Sequence, residues 1–331
     1  MKRLIWLALA LAAGVALPWA LGGADLLSQL RGFPLPLLLG LFAMILLCWT
    51  LNAIRLRVLL QAQGKSLSLP RTIGMVMATE FAICATPGGS GGPLTLVALL
   101  DRQGIPAARS SAVFAMDQLS DLLFFCLAIA GVLLYAVFHQ LNSRMEWLLG
   151  SSAILMVVTL LACWTMARHQ RRFVQLSAFA LKRLRMSRPR RWRWARRWLH
   201  FVHAFKDTAS MPRASLAWAF LLTCAHWALR FSVLWLALRG LGADLQWAWS
   251  FLVQILSLSA GQFSLLPGGA GAAELTSAAL LTPLVGKPTA AAAILIWRIV
   301  TFYFYLLAGA PVFVLMVGKP LLRRLMALRQ A

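Results

Sequence analysis

The sequence predicts an all-α membrane protein, a polytopic bundle of six full spans and two re-entrant hairpins of broken helix. Three observations predict this fold: the hydrophobic share of the chain, the placement of its basic residues, and two Pro-Gly-Gly breaks within hydrophobic stretches. Hydrophobic residues make up 61% of the 331 residues, and the mean hydropathy is +0.77. A soluble domain has too little interior to bury this excess, whereas a bilayer accommodates it.

Stretches long enough to cross a bilayer occur along the whole chain. A crossing takes about 20 apolar residues in an α-helix. Uninterrupted stretches of roughly this length or more occupy residues 4–22, 34–60, 110–138, 147–167, 214–238 and 289–317. The first of these follows Lys2 and Arg3 and also resembles a signal peptide. It is long for that role and lacks a clear cleavage site, so we expect an uncleaved first helix.

Two further hydrophobic stretches, residues 72–100 and 247–284, contain glycine-rich breaks. The breaks read Thr86-Pro87-Gly88-Gly89-Ser90-Gly91 and Leu266-Pro267-Gly268-Gly269-Ala270-Gly271. Because proline and glycine interrupt helices, each break predicts two half-helices in place of one span. The similarity extends beyond the breaks, since residues 55–60 resemble residues 230–235. We therefore predict two structural repeats.

The basic residues predict that both broken stretches re-enter the side from which they came. The net charge is +23, from 32 Lys and Arg against 9 Asp and Glu. Membrane proteins concentrate Lys and Arg in cytoplasmic loops. With re-entry, both termini and most basic residues are cytoplasmic, Arg55 among them in a loop. The few basic residues left outside are Arg31, Arg144, Arg239 and Lys287.

Re-entry also gives the two repeats opposite topology, because an odd number of crossings separates their starts. The chain, residues 1–331, is then a single integral membrane domain. Its parts are an N-terminal helix at 1–33, repeat one at 34–138, an extra span and basic segment at 139–213, repeat two at 214–317, and a basic tail at 318–331. Inverted repeats with broken helices are typical of alternating-access transporters.

The breaks themselves are candidate binding elements. Non-helical backbone at membrane depth is tolerated only where protein or a water-filled cavity covers it. The start of a half-helix offers free N–H groups to an anion such as phosphate. The alternative is a merely packed kink, but two copies in register favour a site. The predicted substrate-binding residues of the breaks are Pro87, Gly88, Gly89, Gly91, Pro267, Gly268, Gly269 and Gly271.

Charged side chains inside hydrophobic stretches are costly and are therefore functional candidates. Glu274 follows the second break and Arg298 lies in the middle of a span. The two either neutralise each other, or Arg298 holds a lipid phosphate as a planar fork. Arg230 is a further substrate-binding candidate. His226 stands four residues before Arg230 without a third ligand nearby, so we predict a polar relay there and no metal site.

Three acidic residues in the first half complete the candidates for coupling or polar relay. Asp117 and Asp121 are four residues apart on one helix face, and they either relay protons, pair with Arg102 or Arg109, or lie on a solvated face. Glu80 lies in a purely apolar setting seven residues before the first break. We expect Glu80 to serve substrate binding or proton coupling.

The rest of the sequence points away from an enzyme. It contains no G-x-S-x-G, H-E-x-x-H or P-loop motif, so we predict no catalytic residue, cofactor or metal. The cysteines lie in apolar stretches without ligand spacing and are expected to be small buried side chains rather than disulfides. They are Cys48, Cys84, Cys126, Cys163 and Cys224.

The segment 168–213 predicts a contact with the membrane surface. Residues 188–205 read RPRRWRWARRWLHFVHAF and combine arginine with aromatic residues. This composition is typical of an interfacial helix on anionic lipid. A nucleic-acid-binding arm is the weaker alternative, because these arginines stand next to spans and already face lipid phosphates. We therefore expect no nucleic-acid partner.

The chain resembles the lysylphosphatidylglycerol synthase transmembrane-region family of flippase-like proteins. The resemblance rests on residues 52–60, on the break at 86–92, on Pro267-Gly268-Gly269-Ala270-Gly271 with Glu274, and on Arg298. It implies a flippase or transporter that moves an anionic or modified lipid between the leaflets of a bacterial inner membrane. The soluble aminoacyl-transferase domain of longer family members has no counterpart here, so the synthase activity is not expected.

Two other functions remain open at this point. One is a non-transporting scaffold or partner of an enzyme that makes envelope phospholipid, glycolipid or hopanoid. The other, an intramembrane lipid-modifying enzyme, lacks a visible nucleophile or metal site. Candidate protein partners are a second copy of the chain and an envelope-lipid enzyme.

Overall fold

A computed structural model confirms that the chain is all-α where it is described. It describes residues 2–61, 66–138, 188–262, 264 and 266–318, together with residues 150, 151, 153, 154, 157, 158, 160, 161, 165 and 168. Within these residues the only extended pairing is one isolated bridge between Pro87 and Pro267. The predicted tail at 318–331 lies outside the described residues except for Gly318.

The first half contains a long helix, a span, a hairpin and a second span. Helix α1 bends at Gly23, whose backbone is non-helical (φ 55°, ψ −142°), and Pro34 begins the next helix. The hairpin consists of α3 and α4, which pack against each other on either side of the first break. The bounds are α1 Lys2–Arg31, α2 Leu35–Leu60, α3 Leu69–Cys84, α4 Gly91–Asp101 and α5 Ala107–Phe138.

The second half repeats this order of elements after a basic helix. Helix α6 carries the basic, aromatic sequence and packs on α5, and the hairpin around the second break consists of α8 and α9. Two π-helical segments, Ile299–Tyr303 and Val314–Gly318, interrupt the final span. The bounds are α6 Arg188–Ala209, α7 Arg213–Gly240, α8 Trp247–Gln262, α9 Ala272–Val285, α10 Lys287–Arg298 and α11 Phe304–Phe313.

Several helices are long and apolar enough to cross a membrane. They are Leu11–Arg31, Leu35–Leu60, Ala107–Leu134, Arg213–Gly240 and Lys287–Gly318. The sixth predicted span, residues 147–167, lies mostly outside the described residues. The second helix of each hairpin is apolar but has only 11 residues in α4 and 14 in α9. Both are shorter than the about 20 residues of a crossing. The polytopic helical fold is confirmed, while the span count, the re-entry and the repeat boundaries stay predictions.

Packing draws the two halves into one bundle. Helix α2 packs on α7, α3 on α11, and α1 on α10. Buried aromatic side chains fill the centre, with the Trp49 ring stacked on Phe304 and edge-on to Tyr305. Large leucines stay exposed on the outer faces, for example Leu94 and Leu307. Such apolar outer faces suit a lipid environment.

Candidate functional site

The two glycine-rich breaks meet in the middle of the bundle. Pro87 and Pro267 form the antiparallel bridge that joins the two turns. The glycines after each proline adopt the same left-handed backbone, with φ of 57° and 67° in the first break and 62° and 67° in the second. These values fall where only glycine is free of strain. The breaks that look alike in sequence are therefore alike in conformation at these glycines, and they differ at the next one, since Gly271 has a positive φ of 82° and Gly91 does not.

The second break is packed too closely for a side chain. A Cβ at Gly268 would stand 2.0 Å from Cε2 of Phe302, in the π-helical segment that follows Arg298. A Cβ at Gly269 would stand 2.7 Å from the Cα of Gly261 on α8. Close contact, with the Phe302 ring at Gly268 and with the Gly261 backbone at Gly269, thus adds to the turn geometry that favours glycine at both positions. A π-helical segment at such a junction is common at functional sites.

A cavity of about 680 Å³ lies at this junction, with walls from both halves of the chain. Exposed lining residues such as Ser90 and Gln118 open it to the outside of the bundle. The predicted site residues that line it are Glu80, Asp117, Asp121, His226, Arg230 and Arg298, with the break glycines Gly88, Gly89, Gly268 and Gly269. Charged residues far apart in sequence therefore share one cavity, whose walls are otherwise largely apolar.

Other predicted residues lie next to the cavity without lining it. Pro87 and Pro267 join the turns, and Gly91 and Gly271 stand where α4 and α9 begin. The N–H of Gly91 donates to the Thr86 hydroxyl at 2.8 Å. In contrast to the prediction, this N–H group is not free for an anion.

The first charged cluster centres on an arginine that the sequence reading placed in a loop. Arg55 lies in α2 and is only 4% exposed. Its Nε stands 2.6 Å from Oδ1 of Asp117, and its Nη1 stands 2.7 Å from Oδ1 of Asp121. Nη1 also donates to the Thr223 hydroxyl, and the Trp227 indole donates to Asp121. Arg55 therefore ties α2 to α5 and α7.

This geometry corrects two predictions. The assignment of Arg55 to a cytoplasmic loop is wrong, because its guanidinium faces the cavity from within a span. The pairing of Asp117 and Asp121 with Arg102 or Arg109 is also wrong. Arg102 donates to the Met316 carbonyl and Arg109 to the Thr208 hydroxyl. A solvated face is excluded too, since the two aspartates are only 23% and 13% exposed.

The second charged cluster joins α9 to α10. Nε of Arg298 stands 2.6 Å from Oε1 of Glu274, and the two side chains are 3% and 1% exposed. Nη1 of Arg298 donates weakly to the Gly268 carbonyl at 3.4 Å. Nη2 is buried and has no hydrogen-bond partner within the described part of the chain. Glu274 thus orients Arg298 from behind, while the guanidinium borders the cavity and keeps a donor unused.

A third arginine lies between these clusters. Arg230 on α7 donates to the Tyr305 hydroxyl. Its guanidinium lies 4.9 Å from the centre of the Tyr305 ring and 5.9 Å from that of Trp227. Such cation–π contacts hold a cation in place without cancelling its charge. Arg230 is therefore held in the cavity by aromatic groups rather than by an acid.

His226 completes the predicted set one turn before Arg230. It is 3% exposed, and its Nδ1 lies 3.4 Å from the Cys48 carbonyl oxygen. Among the described residues, no group of three or more His, Cys, Asp or Glu side chains could hold a metal ion. His226 contacts backbone and aromatic groups, and its relay role stays a prediction.

Sequence reasoning missed Arg55 and Tyr305 as site residues. Arg55 stands near the end of the stretch 34–60, where a charge is easily assigned to the adjacent loop. The available signal was its position three residues after Asn52, because this spacing places both on one helix face. Asn52 also lines the cavity. Tyr305 carried no comparable signal, since aromatic residues are common in spans.

The chain is similar to known membrane proteins over most of its length. The family model described as the lysylphosphatidylglycerol synthase TM region matches residues 5–309. The chain is 22% identical over 268 residues to a protein of Archaeoglobus fulgidus described as a UPF0104 membrane protein. The aligned region covers 79% of this chain and 81% of that protein. No solved structure matches the chain at a significant level.

Proposed function

Because the chain belongs to the lysylphosphatidylglycerol synthase TM region family, we propose that it moves an anionic or modified lipid between membrane leaflets. It is a multi-pass membrane protein, and we place it in a bacterial inner membrane with both termini cytoplasmic. The proposal concerns translocation of the lipid headgroup through the cavity. It includes no chemical change of the lipid.

One observation carries this proposal: a charged cavity lies where two broken helices meet inside an apolar bundle. Its volume of about 680 Å³ falls in the range of roughly 300–1,000 Å³ typical of small-molecule sites. Charges inside a membrane protein are costly and are retained along substrate pathways. A lipid headgroup is polar while its acyl chains are not, so a cavity that combines charged groups with apolar walls suits it.

The arginines supply the contacts that a phosphate needs. Arg55, Arg230 and Arg298 all line the cavity. Arginine binds phosphate through paired N–H donors, and Arg298 has an unused buried Nη2. Glu274 holds Arg298 from outside the lining, so a bound phosphate need not displace that carboxylate. We therefore assign Arg298 as the main phosphate contact.

The test measures movement of a fluorescent phosphatidylglycerol in proteoliposomes. The variant Glu274→Gln with Arg298→Gln removes both charges of the buried pair, so neither is left alone. Its matched control removes the exposed pair Arg239–Asp244, whose atoms stand 3.2 Å apart, as Arg239→Gln with Asp244→Asn. We expect the rate of lipid movement to fall at least about tenfold in the first variant, the equivalent of 1.4 kcal/mol, and to stay at the wild-type value in the control.

Two results would contradict the proposal. Wild-type protein that moves the lipid no faster than protein-free vesicles would remove the transport function. Equal rates in the wild type and the buried-pair variant would remove Arg298 from the pathway. A stable fold of each variant, checked by size-exclusion chromatography, makes either result interpretable.

A further inference from the structure

One carboxylate in the cavity has no partner among the described residues. Glu80 lies on α3 and is partly buried, and its side chain lines the cavity. The other acids of the site are held, since Asp117 and Asp121 contact Arg55 and Glu274 contacts Arg298. Within the described part of the chain, no hydrogen bond or ion pair reaches the Glu80 carboxylate. An isolated carboxylate at this depth calls for a physical reason.

The charged side chains near Glu80 already contact other groups. Arg230, Asp121 and Arg55 are the charged groups that act on it most strongly. Arg230 is turned to the Tyr305 hydroxyl, and Arg55 is turned to its two aspartates. The ionisable groups around Glu80 are Arg55 and Cys48 on α2, Cys84 on α3, Asp117 and Asp121 on α5, His226 and Arg230 on α7, Arg298 on α10, and Tyr305 on α11.

These neighbours decide which cation Glu80 can take. Metal ions bind to several oxygen or nitrogen ligands at once. Among the described residues, no three His, Cys, Asp or Glu side chains are grouped so that they could hold a metal ion. The arginines near Glu80 also repel a metal cation. A single carboxylate binds a proton without any further ligand. The neutral acid that results needs no counterion, which fits a carboxyl group left without one.

We propose that Glu80 is the proton-binding site that couples a proton gradient to lipid movement, an inference that rests on the proposed transport function. A proton from one side adds to the carboxylate, and with Glu80 neutral Arg230 donates to the Tyr305 hydroxyl, the contact present in the structure. The same proton leaves toward the other side. The restored carboxylate then attracts Arg230, so the arginine alternates between Glu80 and Tyr305.

The main experiment measures the leaflet distribution of a fluorescent phosphatidylglycerol in proteoliposomes under an imposed pH gradient. Valinomycin with equal potassium on both sides holds the membrane potential at zero. If one proton accompanies each lipid, the steady-state leaflet ratio shifts about tenfold for each pH unit of gradient. We expect this shift in the wild type and in Asp244→Asn, an exposed acid outside the cavity. In Glu80→Gln we expect the same ratio with and without the gradient.

A spectroscopic measurement tests the proton site without relying on transport. Infrared difference spectra between acidic and alkaline medium should show the carbonyl band of a protonated carboxyl group in the wild type. The exposed acids also give such bands, so the Glu80 band is the one that Glu80→Gln lacks and Asp244→Asn keeps. Tyr305→Phe removes the competing acceptor of Arg230, so in this variant the band should appear only in more acidic medium.

Each outcome bears on one of the two proposals. Coupling through Glu80 is overturned if the wild-type leaflet ratio is the same with and without the pH gradient. It is also overturned if the gradient shifts the ratio in Glu80→Gln as much as in the wild type. If the wild type and Glu80→Gln show the same carbonyl bands, the proton site itself is overturned. If the wild type moves no lipid while a Glu80-dependent band titrates, the transport proposal fails and the proton site stands.

Discussion

Arg298 and Glu274 contact each other at 2.6 Å across the junction of α9 and α10, and neither is more than 3% exposed. The pair lies directly behind the second break, where Nη1 of Arg298 also reaches the Gly268 carbonyl. The pair is a structural tie, and Arg298 is in addition part of the cavity wall. These two roles make different predictions for single and double substitutions.

The single substitution Arg298→Met should destabilise the protein strongly. It leaves the Glu274 carboxylate buried without a counterion, which costs about 3–5 kcal/mol. The double substitution Glu274→Leu with Arg298→Met replaces the pair by apolar groups and should recover most of this loss. Thermal denaturation in detergent measures the stability of each variant.

Lipid movement should not recover with stability in that double variant, because the phosphate contact is gone. Stable protein with wild-type transport would make the pair purely structural. A double variant as unstable as Arg298→Met would instead contradict the charge argument, since packing alone would then account for the loss.

The Arg55 cluster predicts unequal effects for its members. Arg55→Gln leaves Asp117 and Asp121 without their cation, whereas Asp117→Asn leaves Arg55 one carboxylate at 2.7 Å. We therefore expect Arg55→Gln to lower the free energy of unfolding by about 3–5 kcal/mol and Asp117→Asn to lower it by much less. Thermal denaturation of both variants gives the comparison.

The exposed pair Arg239–Asp244 supplies the control for this cluster. Arg239 is 55% exposed and Asp244 91%, and exposed pairs contribute about 0–1 kcal/mol. Arg239→Gln should therefore have almost no effect on stability. If Asp117→Asn were as costly as Arg55→Gln, the three charges would not act as one shared cluster.

The fold was more predictable from sequence than the partners within the site. Span positions follow from hydropathy because every crossing needs a long apolar helix. The breaks follow from Pro267 and its counterpart Pro87, whose effect on a helix is local. Ion pairs depend instead on how helices rotate against each other. Arg55 meets Asp121 only because α2, α5 and α7 turn these faces inward, and no local pattern encodes that rotation.

Gly268 and Gly242 form a matched pair of positions for testing the second break. Both have left-handed backbone, with φ of 62° and 79°, but a Cβ at Gly242 would meet no atom within 4 Å in the parts of the chain that the structure describes. Alanine costs roughly 1–2 kcal/mol at either site from backbone strain. Gly268→Ala must also displace the Phe302 ring, so it should be clearly less stable and should slow lipid movement.

Thermal denaturation and the proteoliposome assay together measure this difference. Phe302→Leu, added to Gly268→Ala, makes room for the new methyl group. The double variant should therefore recover part of the stability and of the lipid movement that Gly268→Ala loses. Equal stability and equal transport in Gly268→Ala and Gly242→Ala would show that the close approach at the break is unimportant.

Gly309 tests the contact between α3, which carries Glu80, and α11, which carries Tyr305. A Cβ at Gly309 would stand 2.7 Å from the Cβ of Phe81 and 3.0 Å from the Met77 carbonyl oxygen, atoms that cannot move independently of α3. Gly309→Ala should therefore force the helices apart at a cost of about 1–3 kcal/mol. Gly131 on α5 is also helical, and a Cβ there would meet no atom of the described residues within 4 Å, so Gly131→Ala should stabilise the protein by up to about 1 kcal/mol. Opposite signs in thermal denaturation confirm the contact, whereas stabilisation by both alanines would mean that α3 and α11 are not packed this closely in the membrane.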